Sequence, residues 1–194
     1  MKKALLIWLT AMLRPITGAA FDIDYARVFS EHAKGVQQID EATRVLELSG
    51  PVVLTEKRQE DGGLRYYGVD NSGHGAVGCL LGIAFELSVS LNICPDLLEP
   101  IQMDKFRANT LAIAHSAGQN AVPPVAEGEI ASRFDALVAQ KAGEIPTIEE
   151  GICSRNNWDP AILHLINHIA GFEPEELDQM LNQPPRLPVV LPCL

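Results

Sequence analysis

The sequence predicts a mostly helical α+β fold, in which a small antiparallel sheet near the N-terminus packs against a helical remainder tied by two disulfides. Three observations carry that expectation. Three β-type runs separated by turn residues lie between positions 43 and 69. From Gly75 onward the pattern changes to helical spacing with recognisable start and stop residues. Four cysteines, Cys79, Cys94, Cys153 and Cys193, form an even set without any Cys-x-x-Cys pair, which favours cross-linking over a zinc ribbon or a thioredoxin-type motif.

Taken in order, residues 1–20 read as a cleavable signal peptide. Lys2 and Lys3 give a positive start, residues 4–13 are uncharged and mostly apolar, and Gly18-Ala19-Ala20 offers small side chains to a peptidase. An apolar run of about ten residues is too short for a hydrocarbon core of ~30 Å, so a permanent anchor is not expected. Neither a cysteine near Ala20 nor a twin-arginine pair is present, so the reading is export of an unfolded chain without lipid or preloaded cofactor. Residues 21–194 then make a single extracytoplasmic α+β domain, secreted or periplasmic, with 47% hydrophobic residues over the whole chain to build its core.

Within that domain Asp24 caps a helix over 25–34 closed by Gly35. Strands follow over 43–48, 52–57 and 64–69. The last two are joined through Asp61-Gly62, a strong hairpin signal because Gly accepts a positive φ. Helices are expected over 76–91, 102–117 and 127–142, with a bend at Pro95, Asp96 and Pro100. Asp159-Pro160 and Glu173-Pro174 open two more, since Pro is preorganised for a first turn.

Spacing narrows the disulfides. If 76–91 is helical, Cys79 and Cys94 stand about 22 Å apart at ~1.5 Å per residue. A disulfide holds α-carbons within roughly 4.4–6.8 Å. That neighbouring pair is therefore disfavoured, and each of the two must reach Cys153 or Cys193. Either choice ties down the Pro-bounded apolar tail from Arg186 to Leu194, which would otherwise fray.

Charge bounds the partners. Removing residues 1–20 takes Lys2, Lys3 and Arg14 and no acid, leaving 12 basic against 25 acidic residues, a formal charge of −13. That balance opposes nucleic acid and anionic lipid and suits a basic partner or plain solubility. Residues 76–93 carry one charge, Glu86, whose cost in lipid points to a core helix; no membrane span is expected after signal removal.

Four features are candidate sites. The loop Asp70, Asn71, Ser72 and His74 crowds polar groups beside Cys79, a setting for a binding or catalytic surface. Gly73-His74-Gly75-Ala76-Val77-Gly78 fits the dinucleotide template, with Asp96 about twenty residues on. Asp70-Asn71-Ser72 separates the strand from those glycines and the preceding region is hairpin-like, so the expectation is a close-packing glycine turn and no cofactor. His164 and His168, four apart on one helix face, could share a metal, although Leu165 stands where a zinc protease has its glutamate. Acidic groups recur at Asp22/Asp24, Glu149/Glu150 and Glu173/Glu175/Glu176, and His115 suits a negative helix end.

With no convincing catalytic constellation, the reading favours an exported acidic protein that binds another extracytoplasmic protein in an accessory, inhibitor or immunity-type role, without catalysis. The alternative is a small exported hydrolase using the Asp70–His74 loop or a His164/His168 metal site.

Overall fold

The computed structural model describes residues 21–48, 50–145 and 153–193. The signal-like segment 1–20, Glu149 and Glu150 lie outside the described residues. The architecture is an N-terminal antiparallel sheet followed by a helical body: α1 (Tyr25–Glu31), β1 (Val36–Gln38), β2 (Thr43–Glu47), β3 (Val52–Arg58), β4 (Leu64–Asp70), α2 (Val77–Ile93), α3 (Pro100–Gln119), α4 (Glu127–Gly143), α5 (Pro160–Gly171) and α6 (Pro174–Asn182).

The four strands form a meander in the order β1-β2-β3-β4. Register sets the faces. Leu46 opposes Leu54, which opposes Gly68, and alternation along β3 buries Val52, Leu54 and Glu56. At the β3–β4 turn Gly62 adopts φ 82° and the Asp61 carboxylate accepts from Gly63 N at 2.9 Å, as the Asp-Gly pair requires.

One expectation is corrected. The helix expected over 25–34 stops at Glu31, a 3-10 turn spans Ala33–Gly35, and a short strand follows that the sequence did not announce. Asp24 does cap the helix, accepting from Arg27 N at 2.9 Å. Beyond Phe29, however, the next residues are exposed and offer a further turn nothing to pack, whereas Val36 pairs with Leu46.

α2 is apolar on every side and is accordingly the hub, contributing residues to all three apolar clusters. Val77, Leu87 and Leu91 face α3, α5 and α6; Phe85 and Val89 face α4, where Phe85 meets Phe134 edge-on at 5.9 Å. Cys79 faces the sheet with Val28, Phe29, Leu46 and Leu54. Each side chain fully buried in this way contributes roughly 1.5–3 kcal/mol of transfer free energy. The Ser88 and Ser90 hydroxyls donate to the carbonyls of Ala84 and Glu86, which lets a polar group sit in this helix. Asn109 of α3 donates to the carbonyls of Ile169 (2.8 Å) and Phe172 (3.0 Å), satisfying acceptors at the end of α5. Asp159 caps α5 through Ala161 N at 2.8 Å.

The disulfides are Cys79–Cys193 and Cys94–Cys153, with α-carbons 5.3 and 5.2 Å apart. The neighbouring pair is absent, as helix geometry demands. Among the described residues no helix is long and apolar enough to cross a membrane.

Candidate functional site

The C-terminal tail organises the polar loop. Arg186 is the lone charge in a stretch of Pro, Leu and Val, and it is 3% exposed. Its Nη1 donates to Asp70 Oδ2 at 2.8 Å, and both side chains are essentially removed from solvent. The same guanidinium donates to Ser72 Oγ, to the Gly75 carbonyl and, through Nη2, to the Met180 carbonyl. Asp70 Oδ1 takes Ser72 N at 2.8 Å, and Ser72 Oγ takes His74 N at 3.2 Å. A planar fork with several donors satisfies this set of acceptors at once, which a lysine could not.

Beyond Arg186 the tail crosses β4 and the start of α2. Val189 is fully buried against Gly68, where a Cβ would collide with its side chain. Asp70 N donates to the Leu191 carbonyl at 2.7 Å, in a parallel bridge between Val69 and Leu191. α2 has no side-chain cap. Instead the tail carbonyls of Val189 and Pro192 accept from Gly78 N (2.9 Å) and Ala76 N (3.3 Å). A Cβ at Gly78 would strike the Pro188 and Val189 carbonyls, so this glycine is needed for the approach. The glycine-rich segment thus seats the chain's own tail at the helix start.

The candidate residues fall in different places. Asp70 and Ser72 are joined by Arg186; Asn71 and His74 are exposed beside them. His164 and His168 are exposed on α5 with ring centroids 6.3 Å apart and planes 14° apart, and His168 leans on Phe172 at 4.8 Å. No group of three or more His, Cys, Asp or Glu suited to a metal comes together among the described residues. Asp22 and Asp24 line an open cleft of about 480 Å³ against Val122–Ala126, with Glu129 and Arg133 paired at its rim at 2.5 Å.

Sequence reasoning missed two clusters. One is the Arg186 clamp itself; an isolated charge in a tail that a disulfide must bury was the available signal. The other lies under the sheet. Glu56 accepts from Arg44 Nε and Nη2, each at 2.7 Å, while the Arg44 guanidinium lies 5.7 Å from the Phe29 ring and Tyr66 stacks on Tyr25 at 5.4 Å. The Arg44 hydrogen bonds hold the Glu56 carboxyl below its ordinary range. Alternation with Leu54 and Leu46 had already put both residues on the inner face.

The outer face of the sheet is different in kind. Val45, Thr55 and Tyr67 form one cross-strand row, and Glu47, Val53 and Val69 form the next, extended by Leu191 of the tail. Tyr67 is 43% exposed, Val69 36%, Leu191 45% and Val190 57%. Lys57 and Arg65 stand opposite each other at the far end. Compared with protein-family models, curated proteins and solved structures, the chain matches none.

Proposed function

We propose that this chain is an exported, disulfide-stapled acidic protein that acts by binding another extracytoplasmic protein, a basic one, through the outer face of its sheet. The observation that carries the reading is that face: exposed Tyr67 and Val69 of β4, with exposed Leu191 of the tail bridged to Val69, on a platform held by the Arg186 clamp and Cys79–Cys193. Tyrosine among aliphatic side chains on a rigid support suits a protein contact, because such a surface loses little conformational entropy on binding. The charge of −13 after signal removal acts at longer range, drawing a basic partner toward the contact. Export is supported by the positive start, the short apolar run and the small residues of 1–20, and by cysteines joined as two disulfides.

The test compares wild type with Tyr67→Ser/Val69→Ser, whose changes lie on the solvent side of β4, remove the apolar contact without altering charge and leave the core intact. Purified proteins are used as bait in an extracytoplasmic extract at low and high salt. The expected result is a basic protein retained by wild type at low salt, weakened by salt and lost from the variant. Retention of the same protein by both baits, or of none by wild type at either salt, would sink the reading. Export is checked separately by mass spectrometry of native material, expected to begin at Phe21 with no free thiol; Met1 still attached and four free thiols overturn it.

A further inference from the structure

The two disulfides are nested, with Cys79–Cys193 spanning 114 positions and enclosing Cys94–Cys153, which spans 59. Neither joins neighbours in sequence. A chain entering an oxidising compartment from its N-terminus presents Cys79 and then Cys94 fifteen positions later, long before either native partner. Cys193, the partner of Cys79, is the last of the four cysteines to arrive. Loop-closure scaling also favours the wrong bond: a loop of fifteen residues closes roughly eightfold more often than one of 59. An oxidant acting on the emerging chain therefore makes Cys79–Cys94 first.

That bond is incompatible with the fold. Cys79 lies in the first turn of α2 and Cys94 follows its last residue. A formed helix holds their α-carbons about 22 Å apart, against the roughly 4.4–6.8 Å of a disulfide. While Cys79–Cys94 persists α2 cannot form, and α2 is the helix shared by all three apolar clusters. The mispaired chain is left with the apolar stretch of Val77–Ile93 exposed. We infer that the protein is a substrate of a thiol–disulfide isomerase in the compartment it enters, an enzyme carrying a reactive thiolate beside a surface for apolar chain segments. The inference rests on the reading that the chain is exported.

The rearrangement is redox-neutral. Starting from Cys79–Cys94 and Cys153–Cys193, the isomerase thiolate attacks Cys94 Sγ, forming a mixed disulfide and expelling the Cys79 thiolate. That thiolate attacks Cys193 Sγ, making Cys79–Cys193 and expelling the Cys153 thiolate. The Cys153 thiolate then attacks Cys94 Sγ of the mixed disulfide, making Cys94–Cys153 and returning the isomerase thiolate. Each step breaks one S–S bond and forms one, so two disulfides enter and two leave. The two starting disulfides come from a disulfide-bearing oxidase, which takes up the two electrons released per bond.

The test uses the full-length chain, reduced and denatured, then diluted into a thiol oxidant that traps the first bonds formed. The products are transferred to glutathione buffer with or without a catalytic amount of purified isomerase, and non-reducing peptide mass spectrometry follows every pairing. Cys79–Cys94 is expected as a major early bond, and the native pairs are expected to form about tenfold faster with isomerase, since uncatalysed reshuffling is slow. Equal rates with and without isomerase, or no Cys79–Cys94 among the early bonds, would overturn the inference. No membrane is crossed in this assay, so its outcome is separate from that of the export test.

Discussion

The sheet with its tail and the helical body stabilise themselves by different means. The body buries aliphatic and aromatic side chains around α2, and its buried polar residues, Asn109, Thr110 and Ser116, are neutral. The sheet has three main strands and one short one, too small to bury comparable apolar area alone. It compensates with two inward ion pairs, Asp70–Arg186 and Glu56–Arg44, with a glycine that admits Val189, and with a disulfide to the end of the chain. Apolar packing tolerates exchange among residues of similar volume. Paired charges do not, because either partner left alone is a buried charge. The sheet region is therefore the more specific part of the molecule and the more fragile.

The largest expected effect follows from that. Arg186→Met removes the partner of a carboxylate that is 2% exposed, at a cost of about 3–5 kcal/mol. Urea unfolding measures the loss, and limited proteolysis should show cleavage around 183–190 as the tail lifts. Adding Asp70→Asn removes the stranded charge while its amide oxygen still accepts from Ser72 N, so the double variant should recover much of the deficit. A single variant as stable as wild type would mean that the clamp is ornamental and that the two regions do not differ in this way.

How much of this could be read beforehand depended on the range of the forces. Strands β2, β3 and β4 and the five helices from α2 onward follow from local pattern, since alternation, helical spacing and residues such as Asp159-Pro160 act within a few positions. β1 was not legible because three residues carry almost no pattern and form only where Val36 meets Leu46. The excluded Cys79–Cys94 pair was legible because helix rise is a local quantity; the choice between Cys153 and Cys193 was not, being decided by how α2 sits among its neighbours. The loop at Asp70 drew attention as a crowd of polar groups. That Arg186, 116 positions away, holds its centre is a tertiary fact.

A second, smaller effect separates the two ion pairs. Arg44 keeps 42% of its side chain exposed, so Glu56→Gln strands a cation that water still reaches. The expected loss near neutral pH is roughly 1.5–3 kcal/mol, that of a hydrogen-bonded charge. Arg44 depresses the folded-state pKa of Glu56 below its ordinary 4.5. The contribution is therefore present in full above 4.5 and lost as pH falls through the lower folded value. Denaturation of wild type and variant at stepped pH should show their gap constant at pH 7 to 5 and closing below 4.5. A gap that survives into strong acid would assign the loss to packing on Phe29 and Tyr66 instead.

The smallest effect has the opposite sign and comes from the other region. Glu86 sits half-buried on α2, and its Oε2 makes no hydrogen bond to the described protein. Burial raises its pKa above the ordinary 4.5, only partly opposed by Lys141. A carboxyl raised in the folded state costs stability: the penalty is absent below 4.5, grows as pH rises through the folded value, and is complete above it. Glu86→Gln should therefore stabilise the protein slightly at pH 7, and the gain should vanish below 4.5. Thermal melts at both pH values measure it. A loss at pH 7 would mean that Lys141 pairs with Glu86 strongly enough to repay its burial, and the helical body would then use charge as the sheet does.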